Sequence, residues 1–239
     1  MALILDIETS GLPNRIGLSF GHNPFYKDVN KYNDCRIVQI SYILCDKNFN
    51  LISNNTYIIK PTDFTIKNSQ FHGITNEISY SQGKLFGIIA KKFYKILLQC
   101  SHIIAHNIDF DINVIKSELY RNNLTDIILE IDKKQLVCSM KETKNIVNIK
   151  RGNNIKDPSL KELYYYVFKK DIENQHNAKY DTYNLYKIIN KLFLDKKCFY
   201  NLNIKFDFYE RVKTLLKRKR LDYDGILSDI NEYKDKIIR

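Results

Sequence analysis

The stretch Ala2-Leu3-Ile4-Leu5-Asp6-Ile7-Glu8 is a short apolar run that carries two carboxylates at its end. Gly11 and Pro13 break the run, so the pattern predicts a buried strand that leads into a turn. Side chains two residues apart on a strand share one face, so Asp6 and Glu8 project together. Two like charges there are costly unless a cation binds them. The pair alone also fits a harmless strand end, so it does not establish a metal site.

The rest of the chain predicts strands and helices in alternation. Further strands are expected at 36–46, 51–60, 101–105 and 136–138, the first two as a hairpin. Helices are expected at 81–98, 109–121, 179–194, and after Pro158, where Ser159 and Glu162 have the spacing of a capping box. Strands followed by alternating helices and strands indicate an α/β layered structure with a mixed sheet.

Composition excludes several classes of protein. The 239 residues are 44% hydrophobic and 27% charged, which argues against a largely disordered chain and fits one to two domains. Five cysteines lie far apart without a C-x-x-C pair, so we expect neither a zinc knuckle nor a disulfide framework. No apolar run approaches the roughly 20 residues of a membrane span, and the start lacks the features of a signal peptide. We therefore expect a soluble intracellular protein, cytoplasmic or nuclear.

The charge balance bears on the partner. Lys and Arg number 38 against 27 Asp and Glu, a formal net charge of +11. Such an excess favours polyanionic partners, because neutralising phosphates releases their condensed counterions. A Lys-, Asn- and Ile-rich composition with a solvated basic surface explains the same number. Composition alone therefore leaves nucleic-acid binding open.

Two further acids fall on the apolar faces of predicted helices. Ile115 follows Asp111 by four residues and Leu185 follows Asp181 by four, so each acid shares its helix's buried stripe. A carboxylate on such a stripe is rare unless it is paired or metal-bound. For either acid alone, a charge favoured by the dipole at a helix start is an equally good explanation. Asp109 lies off the stripe and is expected to be solvated.

Four such carboxylates, without nearby thiols or a histidine pair, are suited to a hard cation. They predict Mg²⁺ or Mn²⁺ rather than zinc. Two such ions activate a water and stabilise the leaving oxygen of a phosphodiester. The candidate general base is His176, which lies in a loop five residues before Asp181. A lone loop histidine is more often a surface residue, and only the spacing to Asp181 argues otherwise.

Three stretches stand out: Asp6-Ile7-Glu8-Thr9-Ser10-Gly11-Leu12, His106-Asn107-Ile108-Asp109-Phe110-Asp111 and His176-Asn177-Ala178-Lys179-Tyr180-Asp181. Together they resemble the three motifs of the DEDDh 3′–5′ exonucleases, in the DnaQ-like, RNase H-like superfamily. Lesser similarities are Arg36-Ile37-Val38-Gln39-Ile40, His72-Gly73-Ile74-Thr75 and Ser159-Leu160-Lys161-Glu162-Leu163. The second motif is more similar to the epsilon-type DNA exonucleases than to oligoribonucleases or RNase T. The resemblance covers about residues 1–194.

The resemblance implies a fold and a set of site residues. The implied fold is an RNase H-like mixed five-stranded sheet flanked by helices. The implied ligands of two Mg²⁺ or Mn²⁺ ions are Asp6, Glu8, Asp111 and Asp181, with His176 as the base. Contacts to the terminal nucleotide are implied for Thr9 near its sugar, for Leu12 as an apolar wedge against its base, and for His106 and Asn107. The implied activity releases nucleoside 5′-monophosphates from the 3′ end of single-stranded nucleic acid, DNA rather than RNA.

Two stretches depart from the family pattern of the exonuclease domain at 1–194. Residues 14–35 form a long insertion in which Arg15, Lys27 and Lys31 lie among aromatic residues. This pattern is typical either of a lid or strand guide beside the active site or of a disordered insertion whose aromatic residues only pack locally. Residues 195–239 form a basic, helical C-terminal extension that could hold nucleic acid, dock a protein partner, provide a nuclear address or cover the sheet.

Two other functions remain open at this point. An exoribonuclease, RNase T-like or oligoribonuclease-like, would retain the same catalytic residues as a DNA enzyme. A non-catalytic module that grips nucleic-acid ends would also be basic, but it would not need all four acids and the histidine. A polymerase or another protein partner is compatible with each of these functions.

Overall fold

The computed structural model describes residues 1–19, 21–173 and 175–202. Its main strands are β1 (Ala2–Thr9), β2 (Ile37–Cys45), β3 (Leu51–Ile58), β4 (His102–Ala105) and β5 (Gln135–Cys138). They form one five-stranded sheet in the order β3-β2-β1-β4-β5. The β1–β2 and β2–β3 pairs are antiparallel, whereas β1–β4 and β4–β5 are parallel. The predicted mixed sheet is confirmed.

The sequence of β1 explains its central place. The residues from Ala2 to Leu5 are fully buried, as expected for a strand covered on both faces. Leu3 and Leu5 face one apolar core, and Ala2 and Ile4 face a second core on the other side of the sheet. β1 therefore carries its two acids to the end of a strand that is covered on both faces.

Helices cover both faces of the sheet. They are α1 (Ser69–His72), α2 (Asn76–Gln82), α3 (Phe86–Leu97), α4 (Ile108–Arg121), α5 (Thr125–Asp132), α6 (Ser139–Val147), α7 (Leu160–Phe168) and α8 (Ala178–Leu194). Helices α3, α4 and α5 pack on the core beneath Leu3, whereas α7 and α8 pack on the core beneath Ile4. Two short strands, β6 (Lys150–Arg151) and β7 (Asn154–Ile155), form a small hairpin between α6 and α7.

The prediction of one helix at 81–98 was wrong. A single helix was expected from 81 to 98, but α2 ends before Gly83 and α3 begins only at Phe86. Between them Lys84 forms a parallel bridge with Ile59, which draws the chain alongside the end of β3. A Cβ at Gly83 would lie 2.8 Å from the backbone nitrogen of Lys60, so this close approach suits glycine. The predicted capping box of α7 is present.

The connection between β1 and β2 is folded in its second half. A short 3-10 helix covers Val29–Tyr32, and the buried Tyr32 hydroxyl donates to the Pro24 carbonyl at 2.6 Å. A guanidinium nitrogen of Arg121 on α4 donates to the Val29 carbonyl at 2.8 Å. The connection begins and ends at one edge of the sheet, because Ile37 lies opposite Thr9.

Three further expectations concern the chain as a whole. All five cysteines are free and buried, so no disulfide framework is present. Among the described residues, we find no helix with the length and apolar character needed to cross a membrane. Most of the predicted basic C-terminal extension, residues 203–239, lies outside the described residues.

Candidate active site

Three of the four predicted carboxylates meet where β1 ends. Asp6 and Glu8 come from β1, and Asp181 comes from the first turn of α8. One carboxylate oxygen from each residue lies within 4.8 Å of the others, and all three residues are partly exposed. The cluster is therefore open to solvent on one side and is compact enough for all three carboxylates to contact the same small ion.

The fourth acid, Asp111, lies deeper. It is only 3% exposed in the first turn of α4, and backbone hydrogen bonds from its own N–H and from Ile7 hold its carboxylate. Its charge acts directly on Asp6. Asp111 thus adjoins Asp6 without belonging to the group of three. Its neighbour Asp109 is exposed and pairs with Lys141 at 2.8 Å, as predicted for a solvated residue.

The carboxylates make one another difficult to ionise. Burial raises the pKa of Asp6 well above its usual value, and the charges of Asp111, Glu8 and Asp181 raise it further. Burial, followed by the charge of Asp181, raises the pKa of Glu8 to about 7. None of the ion pairs between described residues involves any of the four acids. No lysine or arginine in the described part of the protein therefore forms an ion pair with the cluster.

The hydrogen bonding of Asp181 also suits a cation. Its Oδ2 accepts a hydrogen bond of 2.9 Å from the backbone N–H of His176, whereas its buried Oδ1 has no donor among the described residues. Buried carboxylate oxygens are rarely left without a partner. A site built only from carboxylate oxygens matches the ligands of Mg²⁺ or Mn²⁺.

His176 lies immediately before α8 with its side chain exposed. Its backbone adopts φ +62°, in the left-handed region that few residues other than glycine favour. Burial raises the pKa of Asp181, and the hydrogen bond from the His176 backbone and the charge of the His176 ring both lower it. The backbone of His176 is therefore fixed to Asp181 while its imidazole remains accessible.

Three of the residues expected to contact the nucleotide are accessible. Leu12 is 68% exposed, and Asn107 is exposed with φ +73° immediately before α4. Thr9 is partly exposed, and its hydroxyl donates to the Gly11 carbonyl at 2.7 Å. Thr9 is the last residue of β1 and Asn107 lies two residues after the parallel strand β4, at the strand ends where the acids also lie.

His106 is held differently. Its Nε2 donates to the Pro158 carbonyl at 2.9 Å, and its Nδ1 is 3.0 Å from the Ser139 hydroxyl. Burial lowers the pKa of His106 to about 4, so the ring is neutral. Both ring nitrogens are engaged within the protein. In this structure His106 joins the end of β4 to the starts of α6 and α7 and so positions the adjacent Asn107.

Gln39 is a site residue that sequence reasoning did not assign. It lies opposite Glu8 on β2, and its buried side-chain oxygen accepts a hydrogen bond of 2.8 Å from the backbone N–H of Ala178. This bond fixes the start of α8, and hence Asp181, beside the strand that carries Glu8. The available signal was a polar residue inside a strand that is buried along its whole length.

The chain is similar to a known protein family. A protein-family model described as "Exonuclease" matches residues 3–189. The chain belongs to the exonuclease family. The family lies in the DnaQ-like, RNase H-like superfamily, which confirms the resemblance of the three motifs. No curated protein matches the sequence.

Solved structures show the same fold in other exonucleases. The E. coli exonuclease I complex with single-stranded DNA, in its zinc-bound form, has a TM-score of 0.62 at 18% identity, over 81% of this chain and 40% of that chain. Exonuclease X in complex with 5′ overhanging duplex DNA has a TM-score of 0.52 at 18% identity, over 82% of this chain and 92% of that chain. The chain therefore spans less than half of exonuclease I.

Membership of the family defines the chemistry in outline. Exonucleases are hydrolases that act on nucleic acid, and the family uses divalent metal ions. The three clustered carboxylates are the candidate ligands for such an ion in this exonuclease.

The raised pKa of Glu8 leads to a prediction about stability. Because the folded carboxyl has a pKa of about 7 against 4.5 normally, its stabilising contribution is present below pH 4.5 and is lost as pH rises through 7. In EDTA at about pH 8 we expect Glu8→Gln to be more stable than wild type by on the order of 2 kcal/mol, and at about pH 4 to match it. Thermal unfolding across this range measures the difference.

The control for this prediction is Glu142→Gln, an exposed glutamate on α6 outside the cluster. Mg²⁺ should stabilise wild type more than Glu8→Gln, because the ion relieves the repulsion that the substitution has already removed. If Glu8→Gln is no more stable than wild type at about pH 8 in EDTA, the proposed repulsion at Glu8 is contradicted.

Proposed function

We propose that the chain is a 3′–5′ exonuclease that removes nucleoside 5′-monophosphates one at a time from single-stranded DNA. The observation that most strongly supports this proposal is the cluster of Asp6, Glu8 and Asp181 at the open end of a buried strand, with Asp111 next to Asp6. The carboxylates of this cluster repel one another, and the buried Oδ1 of Asp181 has no partner among the described residues. Such a cluster is suited to binding cations, because without them it would destabilise the fold. The histidine at the predicted spacing supports hydrolysis rather than end-binding alone.

Two Mg²⁺ or Mn²⁺ ions would be held by Asp6, Glu8, Asp111 and Asp181. When bound, such ions supply a nucleophilic water and stabilise the departing 3′ oxygen of a phosphodiester. Asp6 is central to this set, because the other three acids all act on its charge. Gln39 keeps Asp181 beside Glu8 through the backbone of Ala178.

His176 serves as the general base in this proposal. Its imidazole accepts the proton of the attacking water, and its exposure leaves room for that water and for the substrate. The hydrogen bond from its backbone to Asp181 keeps the ring near the acids without using a ring nitrogen.

The terminal nucleotide would be held by the residues that border the cluster. Thr9 contacts its sugar, the exposed Leu12 packs against its base, and Asn107 contacts it from the start of α4. His106 is assigned a positioning role toward Asn107 instead of a polar contact, because both of its ring nitrogens are already engaged.

The test uses DNA and RNA oligomers of one sequence, labelled at the 5′ end, with Mg²⁺ or with EDTA. We expect a ladder of DNA products shortened from the 3′ end, release of 5′-monophosphates, slower cleavage of RNA, and no products in EDTA. Faster cleavage of RNA would assign a ribonuclease, because that preference depends on contacts to the 2′ hydroxyl. Tight binding without cleavage of either strand would assign an end-binding module.

A further inference from the structure

The connection between β1 and β2 has an inner and an outer side. Pro24 is buried and Tyr26 packs against the main core, whereas Phe25 is 57% exposed and Lys27 is also exposed. The alternation places a phenyl ring and an ammonium group together on the solvent side. The Phe25 ring lies 4.8 Å from the Tyr26 ring, but Pro24 and Tyr26 provide the inward contacts, and more than half of Phe25 remains exposed.

The outer side is fixed in position by the rest of the protein. The hydrogen bond from Tyr32 to Pro24 holds two parts of the connection together, and the bond from Arg121 to Val29 attaches it to α4. The backbone N–H of Asn14 also donates to the Lys31 carbonyl at 2.7 Å. A ligand would therefore meet a preformed surface.

Phe25, Lys27 and Tyr120 form one cluster, here called the aromatic-lysine surface. The Lys27 ammonium lies 5.8 Å from the centre of the Phe25 ring and 5.9 Å from that of Tyr120. Tyr120 is 37% exposed near the end of α4. Lys27 forms no ion pair within residues 1–19, 21–173 and 175–202, so no described carboxylate neutralises its charge.

This combination is suited to one class of ligand. Exposed aromatic rings stack on nucleobases, and a lysine between them pairs with the backbone phosphate that joins those bases. An acidic peptide would use the lysine but would leave the flat ring faces without a matching partner. The surface therefore fits a single nucleic-acid strand better than a peptide.

The place of the surface in the fold indicates which part of the strand it meets. Helix α4 carries Asp111 in its first turn and Tyr120 near its end, nine residues later. At 1.5 Å per residue this separation is about 14 Å along the helix axis. Stacked nucleotides are about 3.4 Å apart along a strand, so the distance corresponds to about four nucleotides.

We propose that the aromatic-lysine surface binds the substrate strand about four nucleotides before its 3′ end. The inference rests on the proposed function and deepens it, because it assigns a second contact along the strand and hence a preference for longer strands. Single strands longer than about four nucleotides gain binding energy from Phe25 and Tyr120, whereas dinucleotides and trinucleotides do not reach them. The enzyme thus acts preferentially on long strands.

The experiment compares a long substrate that contacts both the active site and the surface with a short substrate that contacts the active site alone. A thymidine oligomer of about 20 nucleotides spans the active site and the surface, whereas the p-nitrophenyl ester of thymidine 5′-monophosphate occupies the active site alone. For Phe25→Ala, and for the double variant with Tyr120→Ala, we expect KM for the oligomer to rise about tenfold or more. The kcat for the oligomer and both constants for the ester should match wild type.

Two variants control for indirect effects. Phe25→Trp retains a stacking ring and should retain the low KM for the oligomer. Tyr165→Ala removes a similarly exposed tyrosine from α7, on the other layer of the fold, and should change neither substrate's constants. Phe25→Ala leaves Tyr120 in its contact with Tyr26, so this single variant tests the proposal even if the double variant is unstable.

Two results would overturn the inference. One is an unchanged KM for the oligomer in Phe25→Ala, and the other is an equal loss on the ester. If wild type cleaves neither substrate, the proposed function fails, and fluorescence anisotropy of the labelled oligomer then tests the surface separately. Equal affinity of wild type and Phe25→Ala in that measurement would also reject the surface.

Discussion

Replacing Asp6 by asparagine abolishes metal-dependent nucleotide release while the protein remains folded. Loss of a group that only supports a metal ligand lowers activity by up to about 100-fold. Asp6 is itself a proposed ligand, so we expect release to fall by more than about 100-fold. The reason is the central position of Asp6: the charges of Asp111, Glu8 and Asp181 all act on it. Asparagine has nearly the same shape, so the packing of β1 is preserved.

The same variant should be more stable than wild type when no metal is present. Burial and the neighbouring acids raise the pKa of Asp6 well above its usual value, so its ionised form is unfavourable in the folded protein at neutral pH. Asp6→Asn removes that cost and also removes much of the stabilisation that Mg²⁺ gives wild type. Thermal unfolding with and without Mg²⁺ measures both effects. Lost activity with raised stability separates a ligand role from simple damage to the fold.

Asp109→Asn is the matched control for Asp6→Asn. Asp109 lies two residues before Asp111 on the same helix, but it is exposed and pairs with Lys141. An exposed ion pair contributes little to stability, so activity and Mg²⁺ response should remain close to wild type. Undiminished release by purified Asp6→Asn would refute the assignment of the acidic cluster as the metal site.

Local patterns were sufficient for the elements that carry the acids. The uninterrupted apolar run of β1 predicts a strand covered on both faces, and period-two projection predicts that Asp6 and Glu8 share a side. Helical periodicity placed Asp111 and Asp181 on inward-facing stripes, and both belong to the first turns of their helices. These predictions of strand and helix faces succeeded because each depends only on residues close in sequence, within about two turns of a helix or one strand.

The parts that local patterns missed depend on distant contacts. The hydrogen bond from Ala178 to Gln39 joins residues 139 positions apart, and the contact from His106 to Pro158 joins residues 52 positions apart. No periodicity encodes such pairs. The break between α2 and α3 likewise follows from the pairing of Lys84 with Ile59, the residue after β3, which overrides the apolar spacing that predicted one continuous helix.

Removing the imidazole of His176 tests the general base. We expect His176→Gly to lower kcat for DNA by about 100-fold or more, with little change in KM, because the proton of the attacking water loses its acceptor. Glycine is the informative substitution here, since the His176 backbone lies at φ +62°, which glycine adopts without strain. The backbone N–H that donates to Asp181 is retained, so the variant removes the ring and preserves the support of the acid.

Lys169→Gly controls for the flexibility that a glycine introduces. Lys169 has φ +55° in the connection between α7 and α8, and its substitution should leave kcat near that of wild type. Imidazole added to His176→Gly should restore part of the lost rate, whereas it should not restore Asp6→Asn, because a free base does not replace a missing metal ligand. A His176→Gly enzyme as fast as wild type would exclude His176 as the base. A slow variant that imidazole does not rescue would also argue against proton transfer by the ring.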